Sequence, residues 1–71
     1  MEKAFYGPNS VQADFKGKTI QEVIDAVRDA FNLADVESSL VAMINGVQVN
    51  REYVVQAEDR IELRASMGTK G

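Results

Sequence analysis

The alternation of apolar and polar residues predicts one amphipathic helix in the first half of the chain. Its apolar positions recur at steps of three and four, the spacing of one helix face. They are Ile20, Val23, Ile24, Val27, Ala30 and Phe31. Thr19 and Glu22 fit a capping box, in which each side chain accepts a hydrogen bond from a backbone amide of the first turn. We therefore expect a helix that begins after Thr19 and ends near Asn32 or Leu33.

A hairpin is predicted ahead of this helix. Residues 2–7 suit a strand, and residues 7–10, Gly-Pro-Asn-Ser, are four turn-favouring residues in a row. Val11, Ala13 and Phe15 then alternate with polar residues, which is the pattern of a half-buried strand. The two strands and their turn would form an antiparallel pair.

Three further strands are predicted after the helix. Residues 40–44 are all apolar, as expected of a strand buried on both faces. Asn45 and Gly46 follow, and this dipeptide is the strongest short hairpin signal because both residues accept a positive φ. Residues 47–49 form the short return strand. Residues 60–65 alternate again and predict a final strand with one apolar face.

This order of elements predicts an α+β fold. A single helix with one apolar stripe must cover one face of a mixed sheet. The helical crossover is long enough for the final strand to return parallel to the first, so we expect the final strand at the centre. The prediction is a β-grasp, or ubiquitin-like, architecture with a four- to five-stranded mixed sheet. It assigns residues 1–66 to one domain and residues 67–71 to a flexible C-terminal tail.

Composition excludes several classes of chemistry. The 71 residues leave no room for a second domain and include neither Cys nor His. Disulfides, Cys and His zinc sites, thiol nucleophiles and imidazole bases are therefore excluded, and we do not expect an enzyme. The net charge of −3 without a basic cluster argues against nucleic-acid binding. No apolar run suits a membrane span or a signal peptide, so we expect a soluble cytoplasmic protein, either a monomer or a weak dimer.

The last five residues are the strongest candidate for chemistry. Met67 to Gly71 follow directly on the predicted final strand, and Gly68 and Thr69 keep the tail slim. A slim tail presents the terminal carboxylate of Gly71 as a reactive group. The alternative is an ordinary loose end, since termini are often disordered and rich in small residues.

Four cationic residues are candidates for contact with a partner. Arg51, Arg60, Arg64 and Lys70 could lie near one end of the predicted sheet. As a patch, they would steer an acidic protein surface. As separate solvated side chains, they would need no functional explanation. Arg60 and Arg64 are the two that we assign to partner binding.

Two stretches resemble a known family. Residues 41–49, with Asn-Gly after an apolar strand, and residues 58–63, Glu-Asp-Arg-Ile-Glu-Leu, resemble the second half of the ThiS and MoaD sulfur carriers. These are small β-grasp domains of thiamine and molybdopterin synthesis. They end in Gly-Gly, whereas Lys70 precedes Gly71 in this chain. The ending Gly-Thr-Lys-Gly is more similar to protein C of the PRTRC cassette, a bacterial plasmid-borne group that also encodes a ThiF-like adenylating enzyme.

The resemblance implies a carrier that contributes no catalytic side chain. A ThiF/E1-like partner would use ATP and magnesium to adenylate the Gly71 carboxylate. The acyl-adenylate would then accept sulfur as a thiocarboxylate or pass to an amine as a conjugate. Lys70 either hinders entry to a pocket shaped for Gly-Gly or pairs with an acidic wall of that pocket.

A function from another class remains open. Many β-grasp domains only dock partners through the sheet surface or an edge strand. In that case the chain is a non-catalytic binding module and its tail is unreactive.

Overall fold

The structure of the protein, a computed structural model, describes residues 1–65. Its elements in chain order are β1 (Glu2–Tyr6), β2 (Asn9–Ala13), α1 (Ile20–Phe31), a 3₁₀ helix (Glu37–Ser39), β3 (Leu40–Ile44), β4 (Val47–Val49) and β5 (Arg60–Ala65). None of the helices within this range is long and apolar enough to cross a membrane. The predicted tail, with Gly68, Thr69, Lys70 and Gly71, lies outside the described residues, as does its boundary at residue 66.

The five strands form one mixed sheet in the order β2-β1-β5-β3-β4. The final strand β5 lies at the centre, parallel to β1 and antiparallel to β3. Ile61 on β5 pairs with Ala4 on β1 and with Ile44 on β3. The predicted α+β class, the mixed five-stranded sheet with one helix and the central position of the final strand are confirmed.

Both ends of α1 follow from local chemistry. Thr19 Oγ1 accepts a hydrogen bond from the Glu22 backbone N–H at 3.2 Å, and the Glu22 carboxylate accepts one from the Thr19 N–H at 2.8 Å. The predicted capping box is therefore present. The helix ends at Phe31 because Asn32 adopts a left-handed conformation, with φ 58° and ψ 49°, which cannot continue a right-handed helix.

One position of the predicted apolar stripe is wrong. Ile20, Val23, Ile24, Val27 and Phe31 are buried against the sheet, but Ala30 is exposed. At 100° per residue, Ala30 lies about 80° around the helix axis from Ile20, at the border of the stripe. Its short side chain does not reach the core from there.

The core lies between α1 and one face of the sheet. Ala4, Ile61 and Leu63 are almost completely inaccessible to solvent, and Ala42 is 2% exposed. The prediction that β3 is buried on both faces is wrong, because Val41 and Met43 are only half-buried. Since α1 covers a single face of the sheet, alternate residues of β3 point away from the core.

The two hairpins differ in how well the sequence predicted them. Asn45 has φ 52° and Gly46 has φ 88°, as a type I′ turn requires. In the first hairpin the turn is shorter than predicted. Asn9 already pairs with Tyr6 in the sheet, so the connection is the two-residue turn Gly7-Pro8.

Candidate functional site

The sheet face that points away from α1 is the candidate functional surface. Side chains alternate between the two faces of a strand, and on this sheet the residues between the buried positions share the opposite side. We call this surface the open face. It consists of Lys3, Phe5, Ser10, Gln12, Val41, Met43, Gln48, Arg60, Glu62 and Arg64. Phe5, Val41 and Met43 are half-buried, whereas Lys3, Arg60 and Arg64 are exposed.

The middle of the open face is a row of three residues on neighbouring strands. Glu62 on β5 pairs with Phe5 on β1 and with Met43 on β3. The Arg60 guanidinium lies over the Phe5 ring, 4.2 Å from its centroid, which is within the range of a cation–π contact. Arg64 Nη2 lies 3.2 Å from a Glu62 carboxylate oxygen. The face thus combines partly buried apolar surface with ordered charged groups.

The charge of the open face is opposite in sign to that of the chain. Lys3, Arg60 and Arg64 bring three positive charges to it and Glu62 one negative charge, whereas the whole chain carries −3. Acidic residues are therefore concentrated elsewhere on the molecule. This segregation favours contact between the open face and an anionic group.

The two arginines assigned to partner binding share the open face but not one end of it. Both are exposed on β5. Four residues along a strand span about 13 Å, so Arg60 lies at the start of β5 and Arg64 near its C-terminal end. They do not form a single cluster.

Arg51 lies at the same end of the sheet as Arg64, beside Leu40, but on the side of α1 and not on the open face. Its guanidinium donates to Gln21 Oε1 at 2.6 Å and to the backbone carbonyls of Glu37 and Leu40. Arg51 is half-buried between α1 and the 3₁₀ helix, where it ties separate segments together. We assign it a structural role.

Glu2 is a buried carboxylate that sequence reasoning missed. It is 3% exposed and accepts hydrogen bonds from the backbone N–H groups of Phe15 and Lys16 at 2.9 Å and of Glu58 at 3.0 Å. The bond from Glu58, then those from Phe15 and Lys16, hold the pKa of Glu2 below its usual 4.5, while burial opposes this shift. The signal was available, because Glu2 has the same strand parity as buried Ala4.

A second polar group holds the turn before β5. Asp59 is 8% exposed and accepts hydrogen bonds from the Tyr53 hydroxyl and the Gln56 N–H, both at 2.8 Å. The bond to Asp59 raises the pKa of the Tyr53 hydroxyl above its usual 10.0, with burial acting in the same direction. This cluster fixes the turn from which Arg60 emerges.

The residues of the open face are suited to binding a partner. They offer apolar contact, hydrogen bonds and charge. Within residues 1–65, no three Asp, Glu, His or Cys side chains come together as a group that could hold a metal ion. Neither a protein-family model nor a curated protein matches the chain.

Proposed function

We propose that this chain is a β-grasp protein of the sulfur-carrier or protein-modifier type. A ThiF/E1-like enzyme would adenylate the carboxylate of Gly71 with ATP and magnesium. The chain would provide the carboxylate and a docking surface, and the partner enzyme would provide the catalytic groups. The proposal requires that Gly71 carry a free carboxylate in the mature protein.

The architecture supports this proposal. Five strands in one mixed sheet, one helix on one face and a central β5 parallel to β1 are compatible with the β-grasp. The hairpin at Asn45-Gly46 and β5 carry the residues on which the resemblance to sulfur carriers rests.

The observation that carries the proposal is the position of β5. It is the central strand, and the sequence continues from its last residue, Ala65, towards Gly71 within six residues. Arg64 and its pairing partner Val41 lie at this end of the open face. A partner docked on that end would be close to the start of the tail. We propose Arg64 as a contact to that partner, with Arg60 as a second, more distant one.

The test is adenylation by the cognate enzyme. We expect the full chain, the ThiF/E1-like enzyme of the same organism, ATP and magnesium to yield an acyl-adenylate or its product. Intact-mass analysis would detect the acyl-adenylate, which forms with release of pyrophosphate. When a sulfide donor is added, sulfide displaces AMP, and the resulting thiocarboxylate is heavier than the carboxylate by the difference between sulfur and oxygen. Deletion of Gly71 should abolish the mass change. Lys70→Gly, which introduces the Gly-Gly ending of sulfur carriers, should preserve the mass change.

A failure of this experiment has a clear meaning. If the wild-type chain acquires no new mass with its cognate enzyme and ATP, the carrier function is wrong. If the chain lacking Gly71 is modified as well as the wild type, the modified group is a side chain and the proposed site is wrong.

The second candidate function is a binding module without tail chemistry. The open face favours it, because half-buried Phe5 and Met43 beside exposed arginines form a surface typical of protein contacts. On this hypothesis, deletion of Gly71 leaves partner capture unchanged. Arg64→Glu on the open face abolishes capture, whereas Lys18→Glu, at an exposed position in the loop before α1, preserves it.

A further inference from the structure

We infer that a pocket at the N-terminal end of β1 and β5 binds an acidic segment of another protein through Lys3 and Arg60. We call it the Lys3–Arg60 pocket. It lies at the opposite end of β5 from the tail, and it shares only Arg60 with the contacts proposed for an enzyme acting on Gly71. The inference goes beyond the proposed function and does not depend on adenylation.

The pocket has the size of a small side-chain group. Its volume is about 180 Å³, and its lining includes Lys3, Phe5, Gln12 and Arg60. A carboxylate side chain with part of its hydration shell would fit into it.

Lys3 and Arg60 concentrate positive charge in this pocket. They are paired in register on the neighbouring strands β1 and β5, whose backbones are about 4.8 Å apart. Both side chains are on the open face and exposed. Like charges at paired positions repel each other. Neither residue forms an ion pair in the described part of the chain, so a bound anion would relieve this repulsion.

Phe5 prepares Arg60 for binding. With the guanidinium 4.2 Å from the ring centroid, the contact restricts the motion of a long side chain. A guanidinium positioned in this way loses less conformational entropy when a ligand binds. Arginine can also bind a carboxylate through two parallel N–H donors. Phe5 and Arg60 thus favour a carboxylate over an anion that cannot accept two parallel hydrogen bonds.

Two acidic residues also line the pocket and affect how it binds an anion. Asp59 also lines it, but its carboxylate already accepts bonds from Tyr53 and Gln56. Glu58 lines it as well, with a side chain that is 79% exposed. Glu58 pairs with the N-terminal ammonium group of Met1 at 3.4 Å, and it is the exposed carboxylate of the lining that opposes an incoming anion, so it offers a variant with the opposite expected effect.

The charge of the whole chain favours a peptide over a nucleic acid as occupant. Nucleic-acid binding draws its affinity from several phosphate contacts. The pocket offers only Lys3 and Arg60 beside an N-terminal ammonium group that is paired with Glu58, and the chain carries −3. A peptide can place one or two carboxylates in the pocket. At physiological salt, distant charges are screened beyond about 8 Å, so the local cations dominate.

The test is direct binding of a fluorescein-labelled hexaglutamate peptide to the full chain, measured by fluorescence anisotropy at low salt. We expect saturable binding that weakens as salt is added. The double variant Lys3→Gln/Arg60→Gln should raise the Kd about tenfold, because it removes two exposed charge contacts to the peptide. Glu58→Gln should lower the Kd about two- to threefold, since it removes a nearby like charge.

Matched controls separate the pocket from general charge. Lys16→Gln and Lys18→Gln each remove one exposed positive charge outside the pocket, and both should bind as the wild type does. Thermal melts followed by circular dichroism verify that each variant is folded. The inference is overturned if the wild type shows no saturable binding or if Lys18→Gln loses as much affinity as the double variant. Tighter binding of a deoxythymidine hexanucleotide than of the peptide would also overturn it.

Discussion

Individual polar residues hold parts of this small fold together. Glu2 joins the start of β1 to the segment before α1 and to the turn before β5, through three backbone N–H groups. Arg51 joins α1 to the 3₁₀ helix and β3. A buried polar group is costly unless it is hydrogen-bonded, so each of these residues makes the position of several segments interdependent.

The first prediction concerns the pH dependence that Glu2 confers. Because the pKa of Glu2 is lower in the folded protein than its usual 4.5, its contribution to stability is complete above that value. The contribution is lost as the pH falls through the folded-state pKa. Glu2→Gln should destabilise the protein at pH 7. The side-chain NH2 group of the glutamine would replace one carboxylate oxygen and would face a backbone N–H donor without accepting its hydrogen bond. The difference from wild type should shrink below pH 4.5.

Urea unfolding between pH 3 and pH 7 measures this effect. Glu52→Gln, at an exposed position in the loop after β4, serves as the control and should follow the wild type. Identical pH profiles for Glu2→Gln and the wild type would show that the Glu2 carboxylate does not stabilise the fold.

At the scale of elements, local signals define α1 and the second hairpin. The capping box at Thr19 and the positive φ of Asn32 determine where the helix begins and ends. Asn45 and Gly46 supply the turn geometry that brings β4 back alongside β3. Such features depend on residues close in sequence, so they are readable without the rest of the fold.

The second prediction concerns the helix cap. Thr19→Ala removes the side-chain acceptor for the Glu22 N–H and should lower the free energy of unfolding by about 1 kcal/mol. Ser38→Ala, which removes an exposed hydroxyl from the 3₁₀ helix, should change it by less than about 0.5 kcal/mol. Chemical denaturation measures both. Equal effects of the two substitutions would mean that the cap contributes nothing specific.

At the scale of the whole molecule, one helix covers one face of a five-stranded sheet. The central strand β5 contributes Ile61 and Leu63 to the core on that side, and Arg60, Glu62 and Arg64 to the open face on the other. The same strand therefore stabilises the fold and presents the candidate functional residues. Substitutions on its two sides should separate stability from binding.

The third prediction tests the contribution of β5 to the core. Ile61 has no exposed surface, so Ile61→Val should cost about 0.5–1.5 kcal/mol and Ile61→Ala about 2–5 kcal/mol of unfolding free energy. Val47, 65% exposed on β4, provides the control. Val47→Ala should change stability by less than about 0.5 kcal/mol. Urea denaturation gives all three values, and a cost for Val47→Ala equal to that for Ile61→Ala would contradict the assigned core.

The residues of the open face divide into those the sequence predicted and those it did not. Arg60 and Arg64 were identified because they alternate with apolar residues in a clear strand pattern. Lys3 and Phe5 were not, since their role depends on β1 lying parallel to β5. The tail residues Gly68 to Gly71 remain a prediction from the sequence.

Periodicity and turn chemistry were sufficient to predict the helix and the Asn-Gly hairpin, because local backbone geometry constrains both. The central position of the final strand was predicted from the connectivity, because the helical crossover is long enough for a parallel return. The burial of Glu2 and the bonds of Arg51 follow from contacts between residues distant in sequence. So does the meeting of Lys3, Phe5 and Arg60 in one pocket. Alternation indicates that a side chain has an inward or outward position. Packing of the strands against one another and against α1 determines which partners it meets there.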